Sequence, residues 1–171
     1  DVYENGLGEF YARNDLKRFD KLSFRTGIAR SLPAAPQLPQ RSLVLIGGGK
    51  DSLVSVDLLE RAGRDMTLFA VNPKGPIVTT SGRSDHPFIG VKRTLDPEMI
   101  RLSKEPGYYN GHVPSTAINS VIAALASTLF GFDTIILSNE RSASEGNIAF
   151  DGRDANHQHE QRAGDCDEHW K

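Results

Sequence analysis

Cysteine is nearly missing from this sequence: its 171 residues include only Cys166, so no internal disulfide can form. Such cysteine usage fits a reducing cytoplasm, where we expect this protein. No apolar run reaches the length of a membrane span, and no secretory leader is visible after Asp1. The net charge is −2, so basic side chains for binding a nucleic acid are not in general excess. We therefore expect neither a membrane nor a nucleic acid as partner, and the oligomeric state stays open.

The composition is that of a globular protein organised around one main domain. Residues 1–40 are interpreted as an N-terminal arm that ends in a proline-rich linker, and Asn14 is expected to cap a short helix over residues 14–21. Residues 41–159 are interpreted as the main domain. The tail, residues 160–171, has no apolar periodicity and is expected to be disordered.

Apolar runs alternate with amphipathic stretches from residue 42 onward, which predicts an α/β fold: an open parallel sheet with helices on both faces. Strands are expected at 42–46, 66–71, 89–95 and 134–137, helices at 51–62, 97–104 and 115–130, and a polar loop at 79–87. Asp96 is expected to cap the helix over 97–104. The last helix carries apolar residues at helical spacing, which we expect to face the core: Ile118, Val121, Ile122, Leu125, Ala126 and Leu129.

The most informative segment is a glycine turn between the first strand and the first helix of this pattern. Gly47, Gly48 and Gly49 follow the apolar run, and Lys50-Asp51-Ser52 opens the helix. Such a turn points several backbone N–H groups at one spot, and the helix dipole adds partial positive charge there. The expected ligand is the phosphate or pyrophosphate of a nucleotide.

Polar segments also follow two other predicted strands. One contains Asn72 and Lys74, and the other contains Ser138, Asn139, Glu140 and Arg141. Ligands of open α/β sheets bind beyond the carboxyl ends of the strands. We therefore expect these segments and the glycine turn to form one cleft.

Three phosphate loops compete for the glycine turn. A Walker loop needs Ser or Thr after its lysine, but Asp51 follows Lys50 here. A dinucleotide fingerprint needs a third glycine where this chain has Ser52. The turn resembles instead the S-G-G-x-D-S loop of the ATP pyrophosphatase (PP-loop) superfamily, with Gly47 replacing the first serine. That resemblance implies an adenine nucleotide α-hydrolase-like fold.

A wider resemblance is carried by four stretches: GGGKDSLVS, AVNPKGPI, GHVPSTAINS and ILSNERSASEGN. Together they resemble the ATP-dependent epimerases that act on the terminal glutamate of UDP-N-acetylmuramoyl-L-alanyl-L-glutamate. The resemblance covers residues 1–159 and fails in the last dozen residues. Known members of that family are longer, so the chain is interpreted as a fragment.

This resemblance implies ATP and Mg²⁺ as cofactors and a UDP-muramoyl-dipeptide as substrate, in peptidoglycan precursor synthesis. ATP would be cleaved between its α- and β-phosphates, and the glutamate carboxylate would become an acyl-adenylate. The α-proton, no longer beside a carboxylate, could then leave and return on the other face. Hydrolysis would release AMP and D-glutamate.

Residue roles follow from the same resemblance. Lys50 would neutralise phosphate charge, Asp51 would ligate Mg²⁺ or bond within the loop, and Arg141 would stabilise charge at the α-phosphate. The remaining expected nucleotide contacts are the pyrophosphate-binding Gly47, Gly48, Gly49 and Ser52, then Asn72 and Lys74, and on the opposite wall Ser138, Asn139 and Glu140.

Two further functions stay open: another PP-loop adenylating enzyme, such as an amide ligase or tRNA modifier, and a non-catalytic nucleotide-binding fragment. Sulfur-transferring tRNA modifiers usually show paired cysteines, which the single Cys166 disfavours. His86 and His112 could act as bases at neutral pH or be loop residues without a chemical role.

Overall fold

The computed structural model describes residues 2–17, 23–24, 37–111, 113–138, 148–150 and 153–155. The chain divides into two compact units. One, here called the sheet unit, comprises Pro36–Thr94 and Ile118–Glu140. The other, here called the accessory unit, comprises Asp1–Ala35, Leu95–Ala117 and Arg141–Lys171.

Four parallel strands form the sheet unit's centre, in the order β3-β2-β1-β4. They are β1 (Ser42–Leu45), β2 (Met66–Val71), β3 (Phe88–Val91) and β4 (Thr134–Ile136). Ser42 is in register with Met66 on one side and with Thr134 on the other. The predicted α/β class with a parallel sheet is confirmed, although β3 ends at Val91 rather than at residue 95.

Five α-helices lie within the described residues: α1 (Gly8–Arg13), α2 (Lys50–Arg61), α3 (Pro76–Arg83), α4 (Pro97–Leu102) and α5 (Ser115–Phe130). The predicted ends of α5 are confirmed. Glycines with positive φ follow α2 and α5, at Gly63 (+63°) and Gly131 (+73°), where side chains are disfavoured. In the described part of the chain, no helix is both long and apolar enough to cross a membrane.

Two apolar cores lie on opposite faces of the sheet, because neighbouring strand residues point to opposite sides. One core joins Val44, Leu68 and Val56 of α2, with Ile77 of α3 packed against it. The other core joins Leu43, Phe69, Phe132 and two alanines of α5, Ala123 and Ala126. Helices therefore cover both faces, and this burial explains why the strands are continuous apolar runs.

The predicted loop over residues 79–87 is wrong in its first half, where α3 extends to Arg83. Pro76 occupies the first turn of this helix, a position where proline's missing N–H costs nothing. Ile77 packs against the core and holds the helix on the sheet. Tertiary packing thus stabilises a helix whose Thr, Ser and Gly residues favour a loop.

The orientation expected for α5 is only partly correct. Ala123, Ala126 and Ser127 are buried, and Ile122 packs beside them, whereas Val121, Leu125 and Leu129 are between 61% and 70% exposed. The helix carries no charged residue, so its apolar pattern does not mark one face clearly. The sheet selects the face with small side chains, which lets the helix backbone approach closely.

The accessory unit contains α1, α4 and an antiparallel hairpin of β5 (Ile148–Phe150) and β6 (Arg153–Ala155). The predicted cap at Asn14 is wrong: Asn14 ends α1, and its side-chain amide donates to the Phe10 carbonyl at 2.7 Å. Residues 14–17 are not helical, and residues 18–21 of the predicted helix lie outside the described residues. The predicted cap of α4 is confirmed, since the Asp96 carboxylate accepts from the Glu98 N–H at 2.8 Å.

Candidate functional site

The candidate site lies at the carboxyl ends of β1 and β4. The chain leaves β1 through α2, which packs on one face of the sheet, and enters β4 through α5, which packs on the other. Such a point, where neighbouring strands connect to opposite faces, opens a crevice at the carboxyl edge. The glycine turn follows β1 and Ser138 follows β4, so these two parts of the predicted cleft lie at the same edge of the sheet.

The glycine turn has one constrained position and two open ones. Gly48 has a φ of +79°, and a Cβ there would lie 3.1 Å from both Ile77 Cγ1 and Pro76 Cβ. A Cβ on Gly47 or Gly49 would meet nothing within 4 Å. Gly48 is therefore required by the fold, whereas the space above its two neighbours is open to a ligand.

Ser52 closes the turn from inside. Its buried hydroxyl donates to the Gly49 carbonyl at 3.2 Å and accepts from the Gly47 N–H at 3.3 Å. Two of the groups expected to hold pyrophosphate are thus paired with each other. Gly49, the residue before α2, has no side chain to cap the helix, so its first-turn N–H groups receive no side-chain cap from this position. Lys50 is exposed and Asp51 is half-buried at this helix start.

A contact that the sequence did not reveal joins the two walls of the crevice. The hydroxyl oxygens of Ser55, on α2, and Ser138 lie 2.8 Å apart, and both residues are half-buried. Ser55 follows Ser52 by three residues, so both lie on one face of the helix. The bond therefore ties the helix that begins at the glycine turn to the segment that follows β4.

Asn72 has a structural role in this arrangement. Its amide nitrogen donates to the Arg93 carbonyl at 2.9 Å, and its amide oxygen accepts from the Arg93 N–H at 2.7 Å. Asn72 also has a φ of +50°, a conformation that asparagine tolerates better than most residues. The side chain expected to contact a nucleotide thus joins the carboxyl ends of β2 and β3.

The other expected site residues differ in how far the structure describes them. Lys74 is exposed in the turn between β2 and α3. Asn139, Glu140 and Arg141 lie outside the described residues, and no position is assigned to them. No three His, Cys, Asp or Glu side chains of the described ranges gather into a metal-binding group around Asp51 or elsewhere.

His86 lies at the opposite edge of the sheet from the crevice. It precedes β3, and its Nε2 is 2.8 Å from an Oε1 of Glu60, in the last turn of α2. This histidine joins the C-terminal end of α2 to the start of β3. His86 therefore lies away from the crevice, and its role as a base stays a prediction; His112 lies outside the described residues.

A family model described as the MurL N-terminal domain matches residues 1–164. The chain belongs to this family. Three curated relatives, each named UDP-N-acetyl-alpha-D-muramoyl-L-alanyl-L-glutamate epimerase, are similar to it over 92% of its length. The relative from Xanthomonas oryzae pv. oryzae is 43% identical over 159 residues, and those from Micromonospora sp. and Salinispora tropica are 40% identical over 160 and 159 residues. The chain spans 35% of the length of these relatives, and no solved structure matches it.

Proposed function

We propose that this chain is the nucleotide-binding part of an ATP-dependent epimerase that inverts the terminal L-glutamate of UDP-N-acetylmuramoyl-L-alanyl-L-glutamate. Family membership and the names of the relatives support the substrate and the isomerisation. The observation that carries the nucleotide half is the uncapped start of α2 behind an open glycine turn, at the crevice between β1 and β4. Two further functions stay open: another adenylating enzyme, and a fragment that binds a nucleotide without turnover. A turnover assay distinguishes both from the epimerase.

The acidity of the glutamate α-proton explains why such an epimerase would need ATP. An α-proton beside a carboxylate is very weakly acidic, because its removal places a second negative charge next to the first. In the proposed reaction a carboxylate oxygen attacks the α-phosphorus of ATP, and pyrophosphate leaves. The resulting acyl-adenylate lacks the carboxylate charge, so the α-proton can leave as an enolate forms. Reprotonation on the other face and hydrolysis give the D-glutamate product and AMP.

The residues at the turn fit a magnesium–pyrophosphate group. Backbone N–H groups at the start of α2 supply donors and the positive end of the helix dipole. Lys50 adds a cation, and Asp51 supplies the single carboxylate with which Mg²⁺ is often held beside phosphate oxygens. Ser52 keeps the turn closed through its two bonds to Gly47 and Gly49. Arg141 is proposed to balance charge at the α-phosphate.

Isothermal titration of the chain with Mg-ATP tests the nucleotide half. We expect Lys50→Ala to weaken binding about ten- to hundredfold, because a charge-assisted contact contributes about 1.5–3 kcal/mol. Asp57→Asn is the matched control on the exposed side of the same helix, where Asp57 pairs with Arg61 at 2.9 Å. Equal ATP affinity of the wild type and Lys50→Ala would show that the glycine turn is not the nucleotide-binding site.

The proposed epimerisation is tested by a turnover assay on a full-length member of the family that contains these residues. Incubation with ATP and UDP-muramoyl-dipeptide in D₂O should release pyrophosphate and add one deuterium to the glutamate α-carbon, read by mass spectrometry. Asp51→Ala should abolish both signals. Pyrophosphate release that depends on an amine acceptor or tRNA instead would identify another adenylating enzyme. Binding of ATP without any release would identify a nucleotide-binding module.

A further inference from the structure

An unpaired polar atom lies on the core-facing side of α5. The side-chain oxygen Oδ1 of Asn119 is shielded from solvent, and it has no hydrogen-bond partner within the described part of the chain. Leaving a buried acceptor unpaired is unfavourable, and native proteins contain few such groups. A ligand that donates a hydrogen bond to this oxygen would remove the cost.

The position of Asn119 follows from the helix period. Asn119, Ala123 and Ala126 are spaced by four and three residues, so all three lie on the stripe of α5 that faces the sheet. Ala123 and Ala126 are buried against β1 and β2. Asn119 lies one turn earlier than Ala123, where this stripe changes from apolar to polar.

The direction of α5 places that turn at the carboxyl edge. The C-terminal end of the helix is joined to the start of β4, where the Ser127 hydroxyl donates to the Phe132 carbonyl at 2.8 Å. Because α5 connects two parallel strands, it runs antiparallel to them. Asn119 is eight residues before Ser127, about 12 Å along the axis. It therefore lies toward the edge that carries the glycine turn and Ser138.

The chemistry of Oδ1 selects one part of a nucleotide. An amide oxygen only accepts hydrogen bonds, and the phosphate oxygens of ATP at neutral pH also only accept. The nucleoside supplies the donors: the ribose hydroxyls and the amino group of adenine. A shielded acceptor at this edge therefore fits the nucleoside and not the phosphates.

Resting on the proposed function, we propose that Asn119 is a nucleotide-binding residue whose Oδ1 accepts a hydrogen bond from the nucleoside of ATP. Binding would then satisfy the one buried side-chain oxygen that the described ranges leave unpaired. Replacing Asn119 should therefore weaken nucleotide binding without weakening the fold. A residue with a purely structural role would show the opposite effect.

The test combines thermal unfolding without ligand and titration with ATP and with inorganic pyrophosphate. In Asn119→Leu we expect a Tm equal to or about 2–4 °C above the wild type, because an unpaired acceptor is removed. We expect ATP affinity to fall about three- to tenfold, the value of one hydrogen bond. Pyrophosphate, which offers no donor to Oδ1, should bind both proteins equally.

Ser127→Ala is the matched control, since Ser127 is a buried polar residue of the same helix with a satisfied hydrogen bond. It should lower the Tm and leave ATP affinity unchanged. Asn119→Ala provides a second variant if Asn119→Leu does not fold. Inosine triphosphate, 2′-deoxy-ATP and 3′-deoxy-ATP identify the donor, because the analogue that lacks it should bind wild type and Asn119→Leu equally.

The outcomes separate this inference from the proposed function. ATP binding that is unchanged in Asn119→Leu, or a lower Tm in that variant, would overturn the role of Asn119 and leave the nucleotide proposal standing. Weaker pyrophosphate binding would show that the amide contacts phosphate and would also overturn it. A wild type that binds no ATP would overturn both.

Discussion

The hydroxyl oxygens of Ser55 and Ser138 lie 2.8 Å apart and join α2 to the segment after β4. The first residue lies in the helix that begins at the glycine turn, and the second lies at the carboxyl end of a strand 83 positions later. This bond sets the distance between two walls of the candidate crevice. It links the helix that follows the glycine turn to the residue that follows β4.

We expect Ser55→Ala and Ser138→Ala each to lower the free energy of unfolding by about 0.5–1.5 kcal/mol, the net value of a half-buried hydrogen bond. The double variant should be hardly worse than either single one, because both remove the same bond. Urea denaturation of the four proteins measures this coupling. Ser81→Ala is the control, since its hydroxyl bonds only to the Val78 carbonyl within exposed α3. Strictly additive losses would show that the two hydroxyls do not interact.

Alanine at three glycines separates conformational strain from steric contact. Gly48→Ala combines a positive φ with contacts to Ile77 and Pro76, and we expect a loss of about 2–3 kcal/mol. Gly63→Ala has a φ of +63° but open space, so it should lose only about 1–2 kcal/mol.

Gly47→Ala has neither penalty and should unfold like the wild type, but its methyl group would enter the open space above the turn. Its ATP affinity should therefore fall while its stability does not. Chemical denaturation and calorimetric titration measure the two effects. Unchanged ATP affinity in Gly47→Ala would place the ligand elsewhere.

The two faces of α5 should respond differently to substitution. Ala123 is fully buried against the sheet, so Ala123→Leu should lower the free energy of unfolding by about 1–3 kcal/mol. Leu125 is 61% exposed, so Leu125→Gln should change it by less than about 0.5 kcal/mol. Thermal unfolding of both variants checks this ranking. A larger loss in Leu125→Gln would mean that the outer face of the helix is covered in solution.

The ion pair between Glu98 and Arg101 should be visible in an acid titration. Two Arg101 nitrogens donate to the two Glu98 oxygens at 2.7 and 2.8 Å, and this bonding lowers the pKa of Glu98 below its usual 4.5. Because the pKa of Glu98 is lowered in the folded state, the ion pair stabilises α4 fully at pH values above the usual pKa of Glu98. That support is lost as the pH falls through the lowered value.

NMR titration of the Glu98 side chain measures this directly. Arg101→Gln should return the pKa of Glu98 to its ordinary range. Glu105→Gln, which removes the second partner of Arg101, should leave it lowered. Because the pair is exposed, added salt should reduce the shift. The same pKa in wild type and Arg101→Gln would exclude the pair in solution.

Local sequence rules determined a large part of this fold. The apolar runs of β1 and β2, the Asp96 cap of α4 and the ends of α5 follow from residues adjacent in sequence. The glycine turn was visible for the same reason, because three consecutive glycines between a strand and a helix favour a tight turn. These features depend on backbone conformation and hydrogen bonds within a few residues.

Contacts between distant residues were decided by the tertiary structure. The buried face of α5 could not be inferred from its composition, because the helix has no charged residue to mark its exposed side, and only the sheet selects Ala123 over Leu125. Asn72 had the sequence context of a ligand contact, but its amide bonds to the backbone of Arg93. The shielded oxygen of Asn119 has no local signature, since burial without a partner arises only when helix and sheet are packed. Sequence therefore determined β1, β2, the ends of α5 and the glycine turn, whereas packing decided the extent of α3, the buried face of α5 and which polar atoms are paired.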